Sequence, residues 1–294
     1  MIRRTFQHIP GVGPWREKDL WARGIASWDD FPGPGQGVGI SSKTDGTARN
    51  RIDLARESLE RRDLSALAEL FPPREHWRLY REFARDAVFF DIETDGRAEQ
   101  RPTVVSLFDA DGIHVFIDGR NMDALPEALG RRRLWVTFNG SCFDVPVLKI
   151  HFPDLPRPEA HLDLRFIFRR LGFGSGLKKL EDHFKLSRAP HLRGVDGWDA
   201  VILWRAWRQT GDIEALRYLV EYNLYDAFNL RTLMDLAFNL AIDHLNLDEP
   251  KLPVFERGDI LYDVSRVLLD LSPTERDLQF MEKVRARDRQ LSEG

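Results

Sequence analysis

The sequence predicts an α/β fold: a mixed sheet, an antiparallel meander joined to parallel strands, flanked by helices and preceded by a small helical N-terminal segment. Three observations predict it. Residues 87–96, AVFFDIETDG, run an apolar stretch into two acids and then a glycine, as a buried strand does at its tip. Residues 103–119, TVVSLFDADGIHVFIDG, read as two strands around Asp109-Ala110-Asp111-Gly112, a hairpin following the first strand. RLWVTFNG, 133–140, has a nearly continuous apolar core from Leu134 to Phe138 and so reads as a central strand, after which helical pattern runs to about Leu245.

The remaining elements follow in chain order. Residues 1–30 form a short segment whose HIPGVG at 8–13 has the look of a hairpin between helices, with Trp21 and Trp28 as its core. Residues 31–49 are dense in Gly, Pro and Ser with no apolar period and read as a linker. Its glycines are no phosphate loop, since no strand precedes them and no G-K-[ST] ends them. Residues 50–84 are a helical lead-in, with Ile52, Ala55 and Leu59 on one helix and Trp77, Tyr80, Phe83 and Ala84 on the next. The main domain spans 85–245 and includes a helix over Asp123–Leu129. An extension, 246–294, carries a candidate helix, GDILYDVSRVLLDL, and a charged tail expected to fray.

A chain of 294 residues with 43% hydrophobic content can bury a full core. Its single cysteine, Cys142, excludes an internal disulfide framework and suits a reducing compartment. MIRRTFQHIPGVG lacks the apolar core of a signal peptide, and no apolar run approaches a membrane span, so the expected location is the cytoplasm. The net charge of -4 excludes a coat of positive charge for nucleic acid. Residues 161–193 nevertheless carry eight Lys or Arg against three acids, which reads either as a solvated helix face or as a path for phosphates.

The acids carry the chemistry. In a strand, Asp91 and Glu93 stand on one face, side by side. With 47 acids in the chain, acid-x-acid arises by chance about seven times, so the pair gains weight only from its place at a strand's carboxyl end. Asp144 follows the second central strand in FNGSCFDVPVLK and opens a helix that tolerates Pro146 in its first turn; it reads as an N-cap or as a fourth-strand acid delivered to the same edge. Tyr222 and Asp226 lie four apart on a late helix and share a face. Four acids cannot stay ionised together without cations, and two divalent metals about 4 Å apart, clamping the attacking and leaving oxygens of a phosphoryl displacement, are the standard solution. Hard oxygen ligands favour Mg2+ or Mn2+.

The set DIET, NGSCFD and YNLYD resembles the three motifs of the DEDD-type 3′-to-5′ exonuclease superfamily, whose fold is ribonuclease H-like. The Tyr-x3-Asp form resembles its tyrosine subtype (DEDDy), since the histidine subtype needs His five residues before Asp226 and Glu221 stands there. HIPGVG with LWARGIASWDDF, EHWRLYREF, and HLDLRFIFRRLG with GLKKLE are similar to the YprB type of bacterial ribonuclease H-like proteins, over roughly residues 5 to 245. The resemblance implies Asp91, Glu93, Asp144 and Asp226 as metal ligands and Tyr222 as the residue orienting the attacking water. It adds Thr94, Asn139, Phe143, Asp163 and Lys178 as substrate contacts or supports, with Asp163 either near the site or a structural cap. A phenol is no strong base, so hydrogen bonding to the water is the expected role of Tyr222.

The implied activity is a two-metal 3′-to-5′ exonuclease acting on a nucleic-acid 3′ end, DNA ahead of RNA. A catalytically silent binding or scaffold module and a metal-dependent endonuclease are the alternatives. Two features depart from the patterns: Asp95 adds a third acid before Gly96, and Glu17 stands in the helix-hairpin-helix-like segment where such motifs carry a small residue. Only eight residues are left for that motif's first helix, and the segment reads as a DNA contact or as a structural cap.

Overall fold

The computed structural model describes residues 1–33, 42–186 and 188–256. The expected helix at 258–271, the charged tail and residues 34–41 of the linker lie outside the described residues.

Among the described residues five strands form one sheet: β1 (Ala87–Thr94), β2 (Pro102–Asp109), β3 (Gly112–Ile117), β4 (Leu134–Thr137) and β5 (Ala160–Asp163). Their order is β3-β2-β1-β4-β5. The pairs β1/β2 and β2/β3 are antiparallel, whereas β1/β4 and β4/β5 are parallel. The meander and the central parallel strand are as expected. The fifth strand is not, because HLDL alternates Leu162 with His161 and Asp163 over only four residues, too few to show a period.

Ten α-helices accompany the sheet among the described residues: α1 (Pro14–Ala22), α2 (Ser42–Glu60), α3 (Leu64–Leu70), α4 (Tyr80–Phe83), α5 (Leu125–Gly130), α6 (Asp144–His151), α7 (Leu164–Arg170), α8 (Leu177–His183), α9 (Gly197–Thr210) and α10 (Ile213–His244). β1 shows why they sort into two layers. Val88, Phe90 and Ile92 point to one side and pack with Leu125, Leu129, Val145 and Leu148 of α5 and α6. Ala87 and Phe89 point to the other, into the core shared with α7 and α10. By the same alternation Asp91 and Glu93 face α10.

Three boundaries differ from the sequence reading. α2 starts at Ser42, inside the stretch read as linker to 49, because its buried stripe is carried partly by small residues: Ala48, Ile52 and Ala55 are all in the core. The second helix of the lead-in, just before β1, is mostly 3-10 helix, Pro73–Leu79 and Ala84–Asp86 around α4. The spacing of Trp77, Tyr80 and Phe83 by threes already matches that tighter period. The helix expected at Asp123–Leu129 divides into a 3-10 turn, Met122–Ala124, and α5.

The N-terminal segment shares one core with the sheet domain, with Ile2, Phe6, Ile9, Leu20 and Trp28 packed in the same cluster as Phe89 and Val136. What precedes its hairpin is a single 3-10 turn, Ile2–Arg4. Glu17 is its anchor. This buried carboxylate accepts from the Thr5 hydroxyl (2.6 Å), the Phe6 N–H (2.8 Å), the Gln7 amide (2.8 Å) and Arg78 (3.0 Å), and Arg78 also donates to Glu75 at 2.8 Å. Residues 246–256 return along α10, where Asn239 accepts from the Leu252 N–H and Asp235 from that of Phe255. No described helix is long and apolar enough to cross a membrane.

Candidate functional site

The carboxylates of Asp91, Glu93 and Asp226 offer oxygens all within 4.8 Å of one another. Local structure dictates this. β1 delivers Asp91 and Glu93 on its α10-facing side, its register shifts between Glu93 and Thr94, and α10 crosses that face with Asp226 buried. Asn223, three residues before Asp226, donates its amide to Asp91 at 2.9 Å.

Asp144 reaches the same hollow by a different device. After β4 the chain turns at Asn139, whose φ of 66° is left-handed, and at Gly140, where a Cβ would overlap the Thr137 side chain. Asp163, at the end of the neighbouring strand β5, holds this turn. It accepts the N–H groups of Asn139 (2.8 Å) and Ser141 (3.1 Å), the Ser141 hydroxyl, and the Arg165 N–H (3.1 Å) as cap of α7. Asp163 is thus both a cap and the clamp that sets where α6 begins. Phe143 holds the N-cap position of α6, so Asp144 is no cap. Its buried carboxylate instead lies beside the backbone N–H groups of Ile92 and of its own residue, which favour its charged form.

The hollow these acids share has a volume of about 360 Å³ and is lined also by Asn139, Phe143, Arg165, Lys178 and Tyr222. Burial, then the neighbouring acids, raise the carboxyls of Asp91 and Glu93 well above the ordinary range. Asp144 is pushed up to about 7 by burial, with Asp163 and Asp226 adding to it and the two N–H groups opposing. Crowded, buried oxygen donors of this kind suit a hard divalent cation, and Asp91, Glu93 and Asp226, with Asp144 beside them, are the residues that fit one.

Tyr222 lies one turn before Asp226 on α10 and is buried. Burial, with Asp226, Glu93 and Asp91 beside it, raises its phenol far above the usual value and keeps it protonated. Its ring carries two cations on its face, Lys178 Nζ at 4.0 Å and the Arg188 guanidinium at 5.3 Å from the centroid. Both cations also reach Asp226. Lys178 donates to it at 3.2 and 3.4 Å, and Arg188 bonds it while pairing with Glu181 at 2.7 to 2.9 Å. Asn229 completes Glu181 at 2.8 Å. Burial works against the Arg188 charge, but Asp226 and Glu181 outweigh it.

Of the sequence candidates, Asp91, Glu93, Asp144, Tyr222, Asp226, Asn139, Phe143 and Lys178 line this hollow, and Asp163 supports it from behind. Thr94 is not among the lining residues, since its hydroxyl donates to Gln100 at 2.6 Å. Asp95 turns away as well, accepting the N–H groups of Arg97 and Arg101 to hold the turn after β1. Arg188, Glu181 and Asn223 escaped the sequence reading. Arg188 sits inside the basic run already noted, and Asn223 inside YNLYD, but neither has a spacing that marks it.

Residues 88–238 match the family model of the RNase_H superfamily, a little over half of the chain and all five strands but the first residue of β1. The chain belongs to the ribonuclease H superfamily. Two solved structures compare with it at low similarity. The family B DNA polymerase of the archaeon Pyrobaculum calidifontis aligns at 16% identity and a TM-score of 0.41, over 54% of this chain and 26% of the polymerase chain. The chain therefore spans about a quarter of that polymerase's length. The EXO domain of Aedes aegypti Nibbler aligns at 17% identity and a TM-score of 0.32, over 67% of this chain and 91% of that domain. No curated protein matches the sequence. In this ribonuclease H superfamily member the acid cluster sits at the carboxyl end of the central strand, where open sheets gather their ligands.

Proposed function

We propose that this protein is a divalent-cation-dependent nuclease of the DEDD type, tyrosine subtype, which removes nucleotides from the 3′ end of a nucleic-acid strand, with DNA placed ahead of RNA. The observation that carries the reading is the meeting of Asp91, Glu93 and Asp226 within 4.8 Å, in one hollow with Asp144 and Tyr222. Asp91, Glu93, Asp144 and Asp226 are the residues to hold Mg2+ or Mn2+. Bound there, the cations supply the positive charge that the attacking and departing oxygens of a phosphodiester require.

The chain's own groups do the rest. Tyr222, kept neutral, accepts a hydrogen bond from the attacking water at its hydroxyl oxygen, which turns a lone pair of that water toward phosphorus. The water oxygen bonds phosphorus and gives up a proton to solvent, the bond to the 3′ oxygen of the preceding nucleotide breaks, and that oxygen takes up a proton from solvent. Lys178 and Arg188 hold Asp226 in place across the Tyr222 ring. Asn139 and Phe143 stand at the rim for the terminal nucleotide.

The same pair of cations favours a second reading. Asp226 already has two positive partners, as an acid would in a catalytically silent binding module. One assay separates the two: 5′-labelled and circular single- and double-stranded DNA and RNA, each with Mg2+, Mn2+ or EDTA. Stepwise shortening of linear substrate with metal alone supports the exonuclease. Cleaved circles make it an endonuclease, and intact substrate throughout leaves the silent module.

A further inference from the structure

Helix α7 starts at the clamp residue Asp163 and carries positive charge away from the acid cluster. Arg165 lines the acid-lined hollow. One turn on, about 6 Å along the helix axis, Arg169 and Arg170 line a second hollow of about 610 Å³ together with Arg74 and Phe166, whose ring is 41% exposed. The turn after β4 divides the two, giving Asn139 and Phe143 to the first and Ser141 to the second. A third hollow, about 290 Å³, shares Arg74 and Arg170 with the second and ends at Lys18 of the N-terminal segment.

The carboxylates lining the second and third hollows are Asp163, Glu17 and Glu75. All three are buried and occupied by the donors described above or by Arg78, so they do not neutralise the rim. Arg169 and Lys18 form no ion pair among the described residues. Arg74 and Arg170 approach Glu75 only at 3.7 and 3.8 Å. A basic strip of this length stands out on a chain whose net charge is -4. An exposed aromatic ring between arginines is the arrangement that holds a single strand, stacking a base while the cations follow the backbone.

We infer that the three hollows form the track of a single nucleic-acid strand, running from the acid cluster along α7 to the N-terminal segment. Arg165, Arg169, Arg170, Arg74 and Lys18 meet its phosphates, and Phe166 stacks a base. The direction of the strand, 3′ end at the acids, rests on the nuclease reading; the track itself does not.

The test is binding by the full-length protein to a fluorescent 20-nucleotide single strand in EDTA, over a range of KCl concentrations. Arg169→Ala/Arg170→Ala removes two phosphate contacts, so the slope of log K against log salt falls by about 1.4. Phe166→Ala weakens binding roughly tenfold at an unchanged slope. Arg61→Ala is the control, a 72% exposed arginine just past the end of α2 paired with Glu57, and it leaves slope and affinity alone. An unchanged slope and affinity in the double variant overturns the track, whether or not the parent cleaves. The expected slope change in a parent that never cleaves with Mg2+ or Mn2+ retains the track and sinks the nuclease reading. A parent that binds no strand, or binds only duplex with the same slope change, overturns the proposed occupant.

Discussion

Arg188, from the loop beyond α8, bonds Asp226 of α10 through Nη2, the same nitrogen that together with Nε pairs with Glu181. A cation therefore stands against one of the acids best placed to hold a metal. The arrangement has two opposed consequences. Arg188 fixes the Asp226 rotamer, and it also adds positive charge where a divalent ion would sit. The nearby charge is the larger effect, because α10 and Lys178 hold Asp226 independently. Arg188→Ala is expected to bind Mn2+ about tenfold more tightly by calorimetry, a difference of about 1.4 kcal/mol. It should also unfold about 3–5 kcal/mol more easily, because Glu181 is left as a buried, unpaired charge. Weaker Mn2+ binding would show instead that Arg188 holds Asp226 in its ligand geometry.

For Tyr222 the hydroxyl and the ring have separate duties. The ring is packed in the core around α10 and bears Lys178 and Arg188 on its face, and all of that survives in Tyr222→Phe. Stability should hold while single-turnover cleavage falls about 100-fold or more, as for loss of a group that positions the reacting water. Tyr222→Ala should cost about 3–5 kcal/mol of stability as well. Full single-turnover activity in the Phe variant would remove the hydroxyl from the reaction and leave the acid cluster untouched.

Glu17 joins the N-terminal segment to the sheet domain through Arg78, with three further donors from residues 5–7. Removing one partner of a buried pair strands the other, so Glu17→Ala should destabilise by about 3–5 kcal/mol in urea unfolding. Retained stability would mean that the segment is only loosely attached. The acid that departs from the helix-hairpin-helix pattern thus acts as an internal anchor, and any strand contact made by the segment comes from exposed groups such as Lys18.

What the sequence made legible was local. The period of two in AVFFDIET put Asp91 and Glu93 on one face, and the spacing of four put Tyr222 beside Asp226. The apolar run at 134–138 gave β4, and with it the edge that delivers Asp144. Features created by distant pairing were hidden. β5 owes its strand character to its ladder with β4, from Leu134 opposite Ala160 to Thr137 opposite Asp163. Without that ladder Asp163 read either as an acid near the site or as a structural cap, with nothing to show that it clamps a turn 22 to 24 residues away. Arg188 meets Asp226 across 38 residues, and nothing in a basic run tells which of its members is buried. The start of α2 was masked by composition, since alanine carries part of its apolar stripe.

Asp144 offers the clearest test through pH. Its folded-state pKa is raised to about 7 from an ordinary 3.8, so folding takes up a proton between those values. The folded state then binds more protons than the unfolded one, and stability falls as pH rises through that window. His8, His76 and His161, whose pKa values burial lowers, push the other way over part of it and obscure the trend in the parent. A comparison of parent with Asp144→Asn cancels them. Asn keeps an oxygen for the Ile92 N–H but never ionises, and its neutrality also relieves Asp91 and Glu93. In EDTA the variant should gain on the parent steadily from pH 4 to pH 7 and hold its advantage above, on the order of a few kcal/mol. Millimolar Mn2+ should reverse the ranking at pH 8, because cations stabilise the ionised cluster of the parent by mass action and need the carboxylate that Asn lacks. Thermal melts at four pH values, with and without metal, check both signs. A constant difference between the two proteins across pH would show that Asp144 keeps an ordinary pKa and stands apart from the cluster.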